Sequence, residues 1–175
     1  SVQKRTYLIQ QMMPESVAYN MPGNLKLHGE VKAEALKNAL QTMTDRHEIL
    51  RTQFLMVDGE PVQKILDCVD ADFEYITSEE ADEKLIAGYM KPFDLSSGKL
   101  VRIKLVNKGE YHLMLLDMHH IVSDGMSINT FTKELMAEHT KEQTSVIDET
   151  TEILSEIAQE HANDEPDREN EVFLV

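Results

Sequence analysis

The 175-residue sequence holds a single cysteine, Cys68, so no disulfide can close within it. Such cysteine usage fits a reducing compartment, and a cytoplasmic location is the expectation. No apolar run approaches the length needed to cross a bilayer. No basic stretch leads into an apolar one at the N-terminus, so no signal peptide is expected either. Positive charge is scarce: 17 Lys and Arg stand against 32 Asp and Glu, a formal charge of −15. That balance argues against nucleic acid and against anionic membrane surfaces as partners. The sequence shows no internal repeat, no low-complexity run and no phosphate-cradling loop. No Cys/His cluster completes a tetrahedral set, and His47-Glu48 lacks a second His at metalloprotease spacing, so no metal site is expected. Ser123 lacks the Gly-x-Ser-x-Gly context of a hydrolase nucleophile.

What is present is enough for one domain with a real core, since 41% of the residues are hydrophobic. Leu25 and Leu27 alternate with polar neighbours from Asn24 to Gly29, which reads as a strand. Val31, Ala35, Leu36, Ala39, Leu40 and Met43 fall at helical spacing between Glu30 and Arg46. Leu50 to Val57 alternates again, Asp58-Gly59 reads as a hairpin turn, and Pro61 to Leu66 as its return strand. Asp72 to Ile76 is a further strand. A helix capped by Thr77 or Ser78 is expected to reach about Met90. Leu100 to Asn107 and Tyr111 to His119 are strands about a turn at Lys108-Gly109-Glu110. Ile128, Phe131, Leu135 and Met136 share a helical face between Ser127 and His139, with Asp124 or Ser127 as cap. Thr6 to Met12 reads equally as strand or helix, and Glu15 to Pro22 as a loop. A second helical pattern spans Val146 to His161, and the chain from Asn163 onward, charged and broken by proline, reads as loose. This intermixing predicts an α/β fold: a two-layer sandwich of a mixed sheet and packed helices.

The charge is unevenly placed. Residues 141–175 hold 11 acidic side chains against Lys141 and Arg168, a net of −9 out of the −15. The expected organisation is a folded unit over 1–140 and an acidic helical tail over 141–175, frayed at its end.

One segment carries chemistry. The apolar run from Tyr111 to Leu116 leads into Met118-His119-His120-Ile121-Val122-Ser123-Asp124-Gly125. A strand end is a rigid mount for an imidazole, and histidine titrates near neutral pH, so it can accept a proton. Alternation along a strand sends His119 and His120 to opposite faces, and His119 is the structural one of the pair. Gly125 permits backbone geometry that other residues resist. The plainer reading of His120 is a buried histidine satisfied by main chain.

The same segment resembles the His-His-x-x-x-Asp-Gly motif of nonribosomal peptide synthetase condensation domains, within the chloramphenicol acetyltransferase-like acyltransferases. Other segments match in order. Ser1-Val2-Gln3-Lys4-Arg5 resembles the opening Ser-x-Gln-x-Arg motif, and Ala18-Tyr19-Asn20-Met21-Pro22 the next landmark. Arg46-His47-Glu48-Ile49-Leu50-Arg51-Thr52-Gln53-Phe54 matches Arg-His-Glu-x-Leu-Arg-Thr-x-Phe at every fixed position. Asp58-Gly59-Glu60-Pro61-Val62-Gln63 and Pro92-Phe93-Asp94-Leu95 follow. The resemblance covers residues 1 to about 140. The second lobe of such domains, with its Tyr-x-Asp-Phe-like segment and its half of the cleft, is not visible after Thr140, so the chain reads as an N-terminal lobe or a truncated remnant.

The resemblance implies one half of a chloramphenicol acetyltransferase-like fold and amide formation between two thioesters. Both substrates would ride on the phosphopantetheine arms of carrier proteins, the expected partners, with no directly bound cofactor. It implies that His120 acts as general base or positions the attacking amine. Asp124 would hold the loop through Arg46, with Arg51 as the alternative, while His119 and Gly125 support the turn. The chain alone is expected to be inactive without a second lobe. Two other readings stay open: a stand-alone acyltransferase with its site between self-associated subunits, and a non-catalytic remnant or docking lobe.

Overall fold

The computed structural model describes residues 2–122, 126–143 and 171–173. The element order is α1 (Val2–Met12), β1 (Asn20–His28), α2 (Ala33–Arg46), a 3-10 turn (Glu48–Arg51), β2 (Thr52–Val57), β3 (Glu60–Ile65), β4 (Asp72–Thr77), α3 (Asp82–Tyr89), β5 (Val101–Asn107), β6 (His112–His119), a 3-10 turn (His120–Val122), α4 (Ile128–Gln143) and β7 (Glu171–Phe173).

Five strands form one sheet in the order β4-β5-β6-β1-β7, and β2 and β3 form a separate hairpin. β5, β6 and β1 pair antiparallel, whereas β4 runs parallel to β5 and β7 parallel to β1. The sheet is therefore mixed, as expected. Alternation assigns the two faces. Val101, Ile103 and Leu105 of β5, with Met114, Leu116 and Met118 of β6, meet α2 and α4 in the main core. There Leu36, Ala39, Leu40, Met43, Phe131 and Leu135 are shielded from solvent. Val106, Leu113 and Leu115 point the other way and pack under Leu85, Ile86 and Tyr89 of α3. Helices therefore pack on both faces of the mixed sheet, α2 and α4 on one and α3 on the other, rather than in the two layers expected.

Several elements resolve ambiguities of the sequence. Residues 6–12 are helical because Thr6, Tyr7 and Gln10 share one buried face. The Glu15–Pro22 loop gives way to β1 already at Asn20. α2 starts at Ala33 rather than Glu30, since Gly29, at φ 99°, reverses the chain first. α3 starts at Asp82, not beside Ser78 or Thr77, and Ala81 ahead of it gives no side-chain cap. Ser78 is used elsewhere: its N–H donates to Asn107 O at 3.3 Å, and its hydroxyl accepts from Glu80 N–H at 3.2 Å. Ser127 does cap α4, its Oγ accepting from Thr130 N–H at 3.1 Å. The expectation of a loose end after Asn163 is corrected at residues 171–173, which extend the sheet beside Lys26–His28. The helix expected from Val146 to His161 lies outside the described residues.

Candidate active site

The central strand β6 ends at His119, and the register of its neighbours fixes the turn that follows. His119 N–H donates to Leu100 O at 2.9 Å, and His120 N–H to Tyr19 O at 2.7 Å. These two bonds hold the strand end from both sides. His119 is fully buried, whereas His120, at the head of the 3-10 turn, is exposed. The divergence of the two side chains predicted from alternation is therefore realised. His120 is not the buried, main-chain-satisfied histidine of the plainer reading.

His119 has a structural task. Its Nδ1 accepts from Ile121 N–H at 3.1 Å, which places the ring proton on Nε2. Its ring meets Phe93 edge-on at 5.8 Å and Tyr19 at 6.1 Å. Burial, then the neighbouring His120, pushes its pKa down to about 4, so it is neutral at physiological pH. Gln3 reaches the same turn, its Nε2 donating to Ile121 O at 3.2 Å, and Gln63 Nε2 donates to Gln3 Oε1 at 2.8 Å. Segments that sequence reading picked out separately thus converge on one turn: Gln3, Tyr19 and Phe93 all touch the histidine pair or its turn.

Ser123, Asp124 and Gly125 lie outside the described residues. Arg46 and Arg51 are placed. Arg46 extends along α4, donating to Glu134 Oε1 at 2.7 Å and to Glu138 Oε1 at 2.9 Å, while His47 Nε2 meets Glu134 Oε1 at 2.7 Å. Burial raises both carboxyls, but the bonds from His47 and Arg46 to Glu134, and from Arg46 and Lys141 to Glu138, outweigh it and hold them below their ordinary range. Arg51 is spent on main chain instead, donating to Leu66 O and, at 3.3 Å, to Asp45 O. Arg51 therefore locks the hairpin of β2 and β3 to the end of α2, and Arg46 fastens α2 to the helix that follows the histidine turn.

Sequence reading missed a buried polar group beneath the site. Arg102 Nη2 lies 2.6 Å from Asp117 Oδ2, and both side chains are almost wholly out of solvent. Asn20 Nδ2 donates to the same Asp117 oxygen at 2.7 Å and to Lys91 O at 2.9 Å. The signal was available: a turn at Lys108-Gly109-Glu110 sets a register that puts Arg102 opposite Asp117. Among the described residues no cluster of three His, Cys, Asp or Glu is placed to hold a metal ion, and no helix is long and apolar enough to cross a membrane.

A mixed sheet flanked by helices, with paired histidines closing its central strand, is the chloramphenicol acetyltransferase-like fold of condensation domains. A sequence profile described as "Condensation domain" matches residues 1–168. The chain belongs to the condensation domain family. It is 47% identical over 137 residues to tyrocidine synthase 2 of Brevibacillus parabrevis, covering 77% of this chain and 4% of that protein. To surfactin synthase subunit 2 of Bacillus subtilis (strain 168) it is 40% identical over 146 residues, 82% of this chain and 4% of that one. The starter condensation domain of rhizomide synthetase superposes with a TM-score of 0.70 at 20% identity, over 93% of this chain and 43% of that one. The chain thus spans a small fraction of the curated synthetases it matches and less than half of the solved starter domain.

Proposed function

We propose that this chain supplies the histidine-bearing wall of a condensation site, where an amine on one carrier-bound thioester attacks the acyl carbon of another. The observation that carries the reading is the contrast within the pair: His119 is sealed and neutral, while His120 is exposed at the end of the rigid central strand. His120 is the catalytic residue. It takes a proton from the attacking ammonium or amine, or holds that nitrogen while the tetrahedral centre forms; the thiolate of the donor phosphopantetheine then leaves and accepts a proton. His119, Asp124 and Gly125 serve the turn, and Arg46 and Arg51 brace the elements around it, none of them touching the reacting atoms. The partners are carrier proteins presenting phosphopantetheine thioesters, and the opposite wall comes from a second condensation lobe.

The test joins this chain, in place of the matching segment, to the remainder of the tyrocidine synthase 2 condensation domain. Carrier proteins loaded with donor and acceptor thioesters are added, and amide product is followed by mass spectrometry. The hybrid is expected to form product, the isolated chain to form none, and the His120→Ala hybrid to be slowed by about 10²- to 10⁴-fold, the usual span for a general base. Amide formation by the isolated chain, or an undiminished rate in the His120→Ala hybrid, would overturn the reading.

A further inference from the structure

We infer that Arg102, with Asp117 and Asn20, is a positioning residue that orients the histidine turn through Phe93. The inference rests on the reading of His120 given above, but its observations are independent of turnover. Arg102 and Asp117 are directly opposite across β5 and β6. The guanidinium makes three kinds of contact at once. It binds Asp117 Oδ2 at 2.6 Å, it donates to the carbonyls of Lys91 and Pro92, and its Cζ lies 3.9 Å from the centre of the Phe93 ring. That ring in turn stands edge-on against His119. Asn20 closes the circuit. It bridges Asp117 to Lys91 O, pairs with His119 in the β1–β6 register, and follows Tyr19, whose carbonyl receives the His120 N–H.

The chemistry of the choice matters. A buried ion pair is a poor way to add stability, because apolar residues of similar volume usually do as well or better. The same sheet face does use apolar residues farther along, at Val106, Leu113 and Leu115. What an arginine fork adds is direction: it fixes the Lys91–Phe93 segment relative to two strands at defined angles. Because Phe93 is held, the His119 ring has one seat, its Nδ1 stays on Ile121 N–H, and the turn that begins at His120 keeps one geometry. Asp117 and Arg102 therefore act on His120 through His119, without approaching substrate themselves.

The experiment uses the full chain, labelled for histidine NMR, with hydrogen exchange read at the His120 amide. Three variants are compared: Arg102→Lys, which keeps the charge but loses the fork; Phe93→Leu, which leaves the ion pair and removes the edge contact; and Val106→Ala, which thins the same sheet face away from the clamp. The expected result is a single Nε2–H tautomer for His119 in the parent chain. In Arg102→Lys and Phe93→Leu a mixture of tautomers and at least 10-fold faster exchange at His120 should appear. Val106→Ala should change neither. Parent-like His119 signals and His120 protection in folded Phe93→Leu and Arg102→Lys would overturn the inference, as would equal effects from Val106→Ala. Should Arg102→Lys fail to fold, Phe93→Leu decides alone. A failed condensation hybrid would remove the proposed catalytic role and leave these signals as they are.

Discussion

Two buried imidazoles set how the chain responds to acid. His119 and His139 are both fully out of solvent, and burial holds each at a pKa of about 4. In the unfolded chain each would titrate near 6.5. As pH falls from about 6.5 to about 4, the unfolded state therefore takes up protons that the folded state refuses, and stability is lost across that window. Each histidine contributes on the order of 3 kcal/mol by this linkage. Asp117 opposes the trend, since burial raises its carboxyl despite the bonds from Arg102 and Asn20. Urea unfolding at pH 7 and pH 4.5 should show a clear drop in midpoint, and His139→Leu should shrink that drop. An identical drop in His139→Leu would refute the assignment to His139. At this scale the sequence was legible where a residue's task is local: alternation alone parts the side chain of His119 from that of His120. Arg102 and Asp117 were not legible one at a time, because their meaning lies in a cross-strand register.

Elements announced themselves when local chemistry and burial agreed. Asp58 and Gly59 both take positive φ, 51° and 79°, as a two-residue hairpin turn requires, and the flanking alternation gives β2 and β3. The start of α3 was misread because Ser78, a good cap by composition, is held to the sheet by Asn107. Glycines give a sharper test of element packing. Gly59 and Gly98 both have positive φ, but a Cβ at 59 would meet nothing within 4 Å, whereas one at 98 would lie 2.9 Å from Leu66 Cδ1. Gly59→Ala should cost about 1 kcal/mol from backbone strain alone. Gly98→Ala should cost somewhat more, since the added Cβ must also push the Leu66 side chain aside while packed against Gln53 and Val69. Chemical denaturation of the two variants checks the order, and equal costs would contradict the packing of that corner.

At the scale of the whole chain, the sheet stands between two different edges. β4 is an edge through Asp72–Thr77, carrying Glu74 opposite Lys104, whereas β1 is covered over Lys26–His28 by β7. Open strand edges template association, so removing residues 144–175 should uncover β1 and raise self-association in light scattering. A truncated chain that stays as monodisperse as the parent would show that β7 does not protect that edge. The closing strand was invisible in the sequence because three residues after a charged, proline-broken stretch give no periodicity to read. By contrast, the central hairpin of β5 and β6 was plain, since β5 alternates and β6 is an apolar run, with a clear turn between them.

The contacts of Arg102 also bear on how such lobes can be recombined. Arg102 contacts Lys91 to Phe93 and Asp117, and Asn20 joins Asp117 to Lys91, so the cluster draws on three further stretches of chain. A crossover that imports only one of these stretches from a divergent relative can strand a charge in the interior. Chimeric synthetases spliced outside residues 20–117 inherit the set intact, so that interval is the smallest block that should be exchanged as a unit.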